Sequence, residues 1–145
     1  MPFDPVMIQP FRDELTELGI KELYTPQEVD NTISNNKGTL LFVINSVCGC
    51  AAGKARPAIH KALQHANKPQ HLVSVFAGQE VDATARLRER WLQGIPPSSP
   101  SIALYKDNEL VHFIPRFKIE GRMADEIAAD LISAFDEYCS DKVTA

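Results

Sequence analysis

Two cysteines stand one residue apart in the stretch NSVCGCAAGKARP, Asn45 to Pro57. Thiols at that spacing suit four kinds of chemistry: metal ligation, a phosphate loop, a structural disulfide, or thiol–disulfide exchange. The phosphate loop fails on count. GCAAGKA is one residue short of G-x-x-x-x-G-K-[ST], and Ala55 stands where a magnesium-binding hydroxyl belongs. A structural zinc site wants four ligands, usually from two paired motifs. Here there is one pair, Cys139 is remote, and His60, His65, His71 and His112 are scattered without ligand spacing. A disulfide between Cys48 and Cys50 is feasible. Two positions apart in a helical turn, the Cα atoms fall within the roughly 4.4–6.8 Å a disulfide needs. Gly49 relaxes the backbone between them. The ring is small and strained, and strain makes a disulfide easier to reduce. Such a pair suits electron acceptance better than stapling.

The flanking elements must place these thiols. TLLFVI, just before the motif, is nearly all apolar and rich in strand formers, as a strand covered on both faces should be. After it, Ala55, Ile59, Ala62, Leu63 and Ala66 mark one face of a helix. Cys48 therefore sits where a buried strand hands over to a helix. The first helical turn has unpaired N–H groups and the positive end of the dipole. Both stabilise a thiolate, the attacking species in exchange.

The rest of the chain alternates in the same way. Ile8, Phe11, Leu15 and Leu18 predict an N-terminal helix stopped by Gly19, and IKELY a short strand. Thr25-Pro26-Gln27-Glu28 reads as a capping box opening a helix that buries Val29 and Ile33. HLVSVF is a strand, Val81 to Gln93 a charged helix, and GIPPSSP a break. SIALY and LVHFI form a hairpin across Lys106-Asp107-Asn108-Glu109. Met123, Ile127, Leu131 and Phe135, with Ala124, Ala128 and Ile132, define a last amphipathic helix. Strands alternating with helices predict an α/β fold with a mixed sheet covered on both faces, in a single domain over residues 1–145.

Composition excludes several classes of function. The net charge of −4 argues against a general nucleic-acid or anionic-membrane surface. Lys54, Arg56 and Lys61, like Arg86, Arg88 and Arg90, are most simply solvated helix faces. The start MPFDPVMIQPFRDEL lacks a signal-peptide pattern, and the longest apolar run, Leu40 to Ile44, cannot span a bilayer. The expected location is the cytoplasm, where closely spaced cysteines mean metal or catalysis more often than stapling.

Pro100 stands directly before SIALYKDNELVHF, and Pro57 follows the second cysteine closely. This arrangement resembles the thioredoxin superfamily, in which a cis-proline opens the strand before the final hairpin. The order of elements from Ile20 to Tyr138 matches that fold, with an extra N-terminal helix. The closer resemblance is to the bacilliredoxin family, thioredoxin-like proteins with C-G-C in place of C-x-x-C. It is carried by VCGCAAGKARPA, Val47 to Ala58, preceded by FVINS and followed by the Pro100 strand.

The resemblance implies an enzyme acting on mixed disulfides between protein cysteines and bacillithiol, a small thiol that some bacteria use where others use glutathione. Cys48 would be the nucleophile. Bacillithiol, or Cys50 as resolving thiol, would regenerate it. Ser99 and Pro100, in the proline loop, would offer backbone groups to the substrate. Bacillithiol would be a co-substrate, with no bound cofactor or metal. The partners would be bacillithiolated or disulfide-containing proteins. General disulfide reductase or isomerase activity, and a non-catalytic module holding metal through the pair, are the alternatives.

The sequence departs from typical thioredoxins in two places. Val47 replaces the tryptophan before the first cysteine. Phe42, six residues before Cys48, replaces a buried acidic residue. Asn45 and Ser46 are the nearest polar groups, and at least one is expected beside the cysteines, in substrate binding or in strand-end hydrogen bonding. Lys54 and Arg56 either stabilise a thiolate, meet the carboxylates of bacillithiol, or face solvent. Cys139 reads as a half-buried apolar residue, with a third redox thiol as the alternative. Trp91 is expected at the helix–sheet boundary.

Overall fold

The computed structural model describes residues 2–140. Five strands form one sheet: β1 (Lys21–Glu22), β2 (Thr39–Asn45), β3 (His71–Phe76), β4 (Ser101–Lys106) and β5 (Glu109–Ile114). Their spatial order is β1-β3-β2-β4-β5. β1 and β2 run parallel to β3, whereas β4 is antiparallel to both β2 and β5. Six α-helices accompany the sheet: α1 (Pro5–Thr16), α2 (Pro26–Ser34), α3 (Arg56–Ala62), α4 (Val81–Arg86), α5 (Arg116–Glu120) and α6 (Ala124–Tyr138).

Strand β2 explains the layering. All seven of its residues are buried. Successive side chains on a strand point to opposite faces. Leu41 and Val43 accordingly join Leu15 of α1, Ile59 of α3 and Leu131 and Phe135 of α6 in one core. Leu40, Phe42 and Ile44 join Val29 and Ile33 of α2 and Ala83 of α4 in the other. A fully buried Leu or Phe contributes about 1.5–3 kcal/mol, so the unbroken apolar run is what makes β2 central.

The local signals mark true boundaries. Thr25 Oγ1 accepts from Glu28 N while Glu28 Oε1 accepts from Thr25 N, closing the capping box of α2. Gly19 has φ of +86°, a conformation that halts the chain after α1.

Three expectations need correction. Helix α3 ends at Ala62, so Ala66 lies beyond it and is exposed. Met123 caps α6 and is 67% exposed instead of joining its apolar face. The helix over Val81 to Gln93 is α4 followed by a π-helical turn, Leu87–Trp91. There Arg86 and Arg90 both reach Asp30, and Arg88 Nη2 donates to Ser98 C=O, so this basic group is partnered.

Candidate active site

The site begins where β2 ends. Asn45 and Ser46 are buried, and both side chains serve the loop that follows. Asn45 Nδ2 donates to Phe11 C=O of α1 at 3.1 Å. Its Oδ1 accepts from Ser46 N at 2.9 Å and from Arg56 Nη1 at 3.0 Å. Ser46 Oγ accepts from Cys48 N at 3.3 Å. The Cys48 carbonyl accepts from Ala51 N and Ala52 N, so Cys48 stands at the start of the first helical turn. The expected strand-to-helix placement of the thiol is present.

A π-helical turn, Ala51–Ala55, separates that start from α3, and Arg56 N donates to Ala51 C=O, five residues back. Pro57, in the first turn of α3, has no N–H to give the ladder. The extra residue in the turn shifts the side-chain phase. Ala55 and Arg56 therefore both point inward, and Arg56 is 2% exposed. This corrects the solvated-face reading of Arg56. Its guanidinium donates to Asn45 Oδ1 and, at 2.9 Å, to Ser46 C=O. It also pairs with Glu14 Oε1 at 3.1 Å and lies 4.9 Å over the Phe11 ring.

The second wall was not anticipated. Helix α5 follows β5 directly, opened by Pro115 and ended by Gly121. Its Arg116 and Glu120 lie one turn apart and face the cysteines. Arg116 Nη2 is 3.9 Å from Cys50 Sγ, and Nη1 donates to Ser99 C=O at 3.2 Å. Glu120 Oε2 is 3.6 Å from Cys50 Sγ and accepts from its thiol. Lys54 Nζ caps the Glu120 carbonyl. The segment PRFKIEG does carry a helix signal, a proline start and a glycine stop.

Ser99-Pro100 is a cis peptide bond. In the β2–β4 ladder Ile44 stands opposite Ser101, so continuing the register brings Pro100 level with Asn45. Arg116 ties this loop to Cys50. The six residues named from sequence thus gather at one end of the sheet. Cys139 lies elsewhere, at the C-terminal end of α6, half-buried as expected.

The two thiols are unlike. Burial works to raise the Cys48 pKa, but the Ser46 hydroxyl, the Ala51 and Cys50 N–H groups and Arg116 outweigh it, and the pKa falls below the ordinary thiol value. Cys50 moves the other way. Burial, the charge of Cys48 and the Glu120 carboxylate raise it, and Arg116 offsets only part. Of the two, Cys48 is therefore the thiol that ionises more readily. Ser46→Ala removes one of the groups favouring the thiolate. It is expected to shift the pH midpoint of Cys48 alkylation upward and to slow alkylation several-fold at pH 7. An unmoved midpoint, read by mass spectrometry of iodoacetamide-labelled protein, would remove Ser46 from thiolate stabilisation.

Among the described residues no three His, Cys, Asp or Glu side chains gather as a metal-ligand set. No helix among them is long and apolar enough to cross a membrane.

Comparison with known proteins agrees with this geometry. A sequence profile described as disulphide isomerase matches residues 3–139. A bacilliredoxin of Halalkalibacterium halodurans is 56% identical over 133 residues, 92% of each chain. A bacilliredoxin of Salinibacter ruber is 52% identical over 144 residues, covering 98% of this chain and 84% of its own. Among solved structures, oxidised thioredoxin from Plasmodium falciparum superposes with a TM-score of 0.56 at 18% identity, over 83% of this chain and 99% of that one. Thioredoxin from Malassezia sympodialis gives 0.57 at 12% identity, over 83% and 91%. The fold is that of thioredoxin, with an N-terminal helix α1 before the first strand. Matched along its length by the disulphide isomerase profile and by these relatives, the chain belongs to the bacilliredoxin family and is a thiol–disulfide oxidoreductase.

Proposed function

We propose that this oxidoreductase removes bacillithiol from protein mixed disulfides, with Cys48 as nucleophile and Cys50 as resolving thiol. The observation that carries the assignment of roles is the opposite perturbation of the two thiols, Cys48 lowered and Cys50 raised. The name shared by the relatives supports bacillithiol as the small thiol.

In the first step the Cys48 thiolate attacks the bacillithiol sulfur of the mixed disulfide. A Cys48–bacillithiol bond forms, the bond to the target cysteine breaks, and the target leaves as a thiolate that takes up a proton. In the second step either Cys50 attacks Cys48, forming the Cys48–Cys50 disulfide for a reductant to recycle and releasing bacillithiol as the thiolate, or free bacillithiol attacks the adduct's bacillithiol sulfur, forming bacillithiol disulfide and releasing the Cys48 thiolate. Ser99 and Pro100 contribute the backbone face against which the substrate disulfide lies, while Asn45 and Ser46 hold the loop from within. An open groove of about 320 Å³ lined by Ile95, Pro97, Phe113 and Phe117 adjoins Arg116 and Glu120. It gives the target polypeptide an apolar contact beside the thiols. The reaction needs a reduced Cys48, which fits the reducing cytoplasm.

The test is the Cys50→Ser protein, reduced and then exposed separately to oxidised bacillithiol and to glutathione disulfide. Intact-mass and peptide mapping should show one bacillithiol on Cys48 and a weaker glutathione adduct. Equal adducts would favour the general reductase or isomerase reading, which the family description also supports. No adduct on Cys48 from either reagent would overturn both.

A further inference from the structure

Resolution needs Cys50 as a thiolate, yet its surroundings hold the proton on it. A base is required, and the strand before the motif offers none. Phe42 is fully buried in an apolar core. The carboxylate within reach comes from the other side of the site, where Glu120 Oε2 accepts from Cys50 at 3.6 Å. We propose that Glu120 is the proton acceptor for Cys50 in the resolving step, a role that rests on Cys50 being the resolving thiol.

The geometry fits the task. Glu120 sits on α5 one turn after Arg116, and its Oε2 is 3.5 Å from Arg116 Nε. Its side chain is half exposed, so a proton taken from Cys50 passes readily to water. The charged and titratable groups around the contact are few. Lys54, from the π-helical turn, donates to the Glu120 carbonyl and leaves the carboxylate to Cys50. Arg116 approaches both the carboxylate, through Nε, and the sulfur, through Nη2. Cys48 faces Cys50 as the partner thiol. On α6, Asp125 is turned to Lys61, and Asp130 to Arg122 and His112.

The step balances. The Cys50 S–H bond breaks and its proton moves to Glu120. The Cys50 sulfur attacks Cys48 Sγ, forming the Cys48–Cys50 disulfide as the Cys48–bacillithiol bond breaks. Bacillithiol leaves as the thiolate. Glu120 then releases its proton to that thiolate or to water. The mixed disulfide is reduced, and the two cysteines are oxidised. Arg116, bonded to Ser99 C=O and close to both sulfurs, steadies the negative charge as it moves between them.

The two steps separate with an aryl disulfide probe. Reduced protein mixed with one equivalent of 5,5′-dithiobis(2-nitrobenzoate) releases one aryl thiolate as Cys48 attacks and a second as Cys50 resolves. In Glu120→Gln the first phase should stay within about threefold of wild type. The second should slow by about a hundredfold or more near pH 6.5, the low end of what a positioned base contributes. The deficit should shrink as pH rises and vanish where Cys50 ionises unaided. Glu120→Asp should recover part of the rate with the wild-type pH shape. A purely structural loss would slow both phases alike at every pH. That result, or an unchanged second phase, would overturn the proposal. Loss of the first phase from wild type would instead refute Cys48 as nucleophile, and a missing bacillithiol preference would touch only the substrate, so the failures are distinguishable.

Discussion

Replacing Cys48 by serine is expected to bring turnover on a bacillithiolated protein below about a thousandth of wild type, because no other group in the site can take over the attack. Serine keeps the size and the loop hydrogen bonds but not the thiolate. The Ser46 hydroxyl and the Ala51 and Cys50 N–H groups that favour a charged sulfur cannot hold an alkoxide near neutral pH. Cys50 is the obvious substitute and is poorly placed for it. Its pKa is raised by burial and by Glu120, so little thiolate exists at pH 7. Removal of the Cys48 charge relieves one of the causes of that elevation but leaves burial and Glu120 in place. The measurement is release of the small thiol from a preformed mixed disulfide, followed under a coupled reductant. Cys50→Ser should behave differently, completing the first exchange and stalling as the adduct unless free thiol is supplied. Near-wild-type turnover by the Cys48→Ser protein would sink the assignment of the nucleophile.

What the sequence revealed and what it hid divide along a physical line. Features set by neighbours in the chain were readable. The capping box at Thr25 closes within four residues, and the apolar run of β2 needs only its own letters to call for burial on both faces. The hairpin at Asp107, with φ of 54°, is equally local. The cysteine pair was located by the same kind of argument, as the junction of a buried strand with a helix start. Arg116 and Glu120 were missed because their importance is not local. They stand 66 and 70 residues after Cys50, and only the antiparallel return of β4 and β5 brings α5 to the same end of the sheet. Arg56 was misread for a subtler reason. Its charge, beside Lys54 and Lys61, reads as a solvated helix face, whereas the folded chain buries it against Asn45, Ser46, Glu14 and Phe11, partners its own helix does not supply. The family resemblance supplied the fold and Pro100, and neither departure from α-helical phase nor the α5 pair was part of it.

Arg56 is where the loop and the fold meet, and Arg56→Ala is expected to cost about 3 kcal/mol of stability in urea unfolding. The substitution leaves Ser46 C=O without this donor and takes one from Asn45 Oδ1, both in buried residues. It also strips Glu14 of its partner and opens space over Phe11. A loss within 0.5 kcal/mol, the usual range for substitutions away from such features, would mean that the guanidinium holds nothing. Stability alone does not separate packing from positioning, and a second variant does. Among the described residues Arg56 Nη2 is buried without a hydrogen-bond partner, so the charge is imperfectly satisfied. Replacing such a charge by an apolar side chain of similar length often restores stability. Arg56→Met should therefore recover much of the unfolding free energy lost in Arg56→Ala. It cannot donate to Asn45 or Ser46, and the loop that presents the Ser46 hydroxyl to Cys48 stays unpinned. The pH midpoint for Cys48 alkylation should rise in both variants, and Arg56→Lys, with a single point charge and no planar fork, should fall between Met and wild type. If Arg56→Met regained both stability and the low midpoint, Arg56 would be no more than a space-filling side chain. If it regained the first without the second, the guanidinium would be the group that fixes the geometry on which the Cys48 thiolate depends.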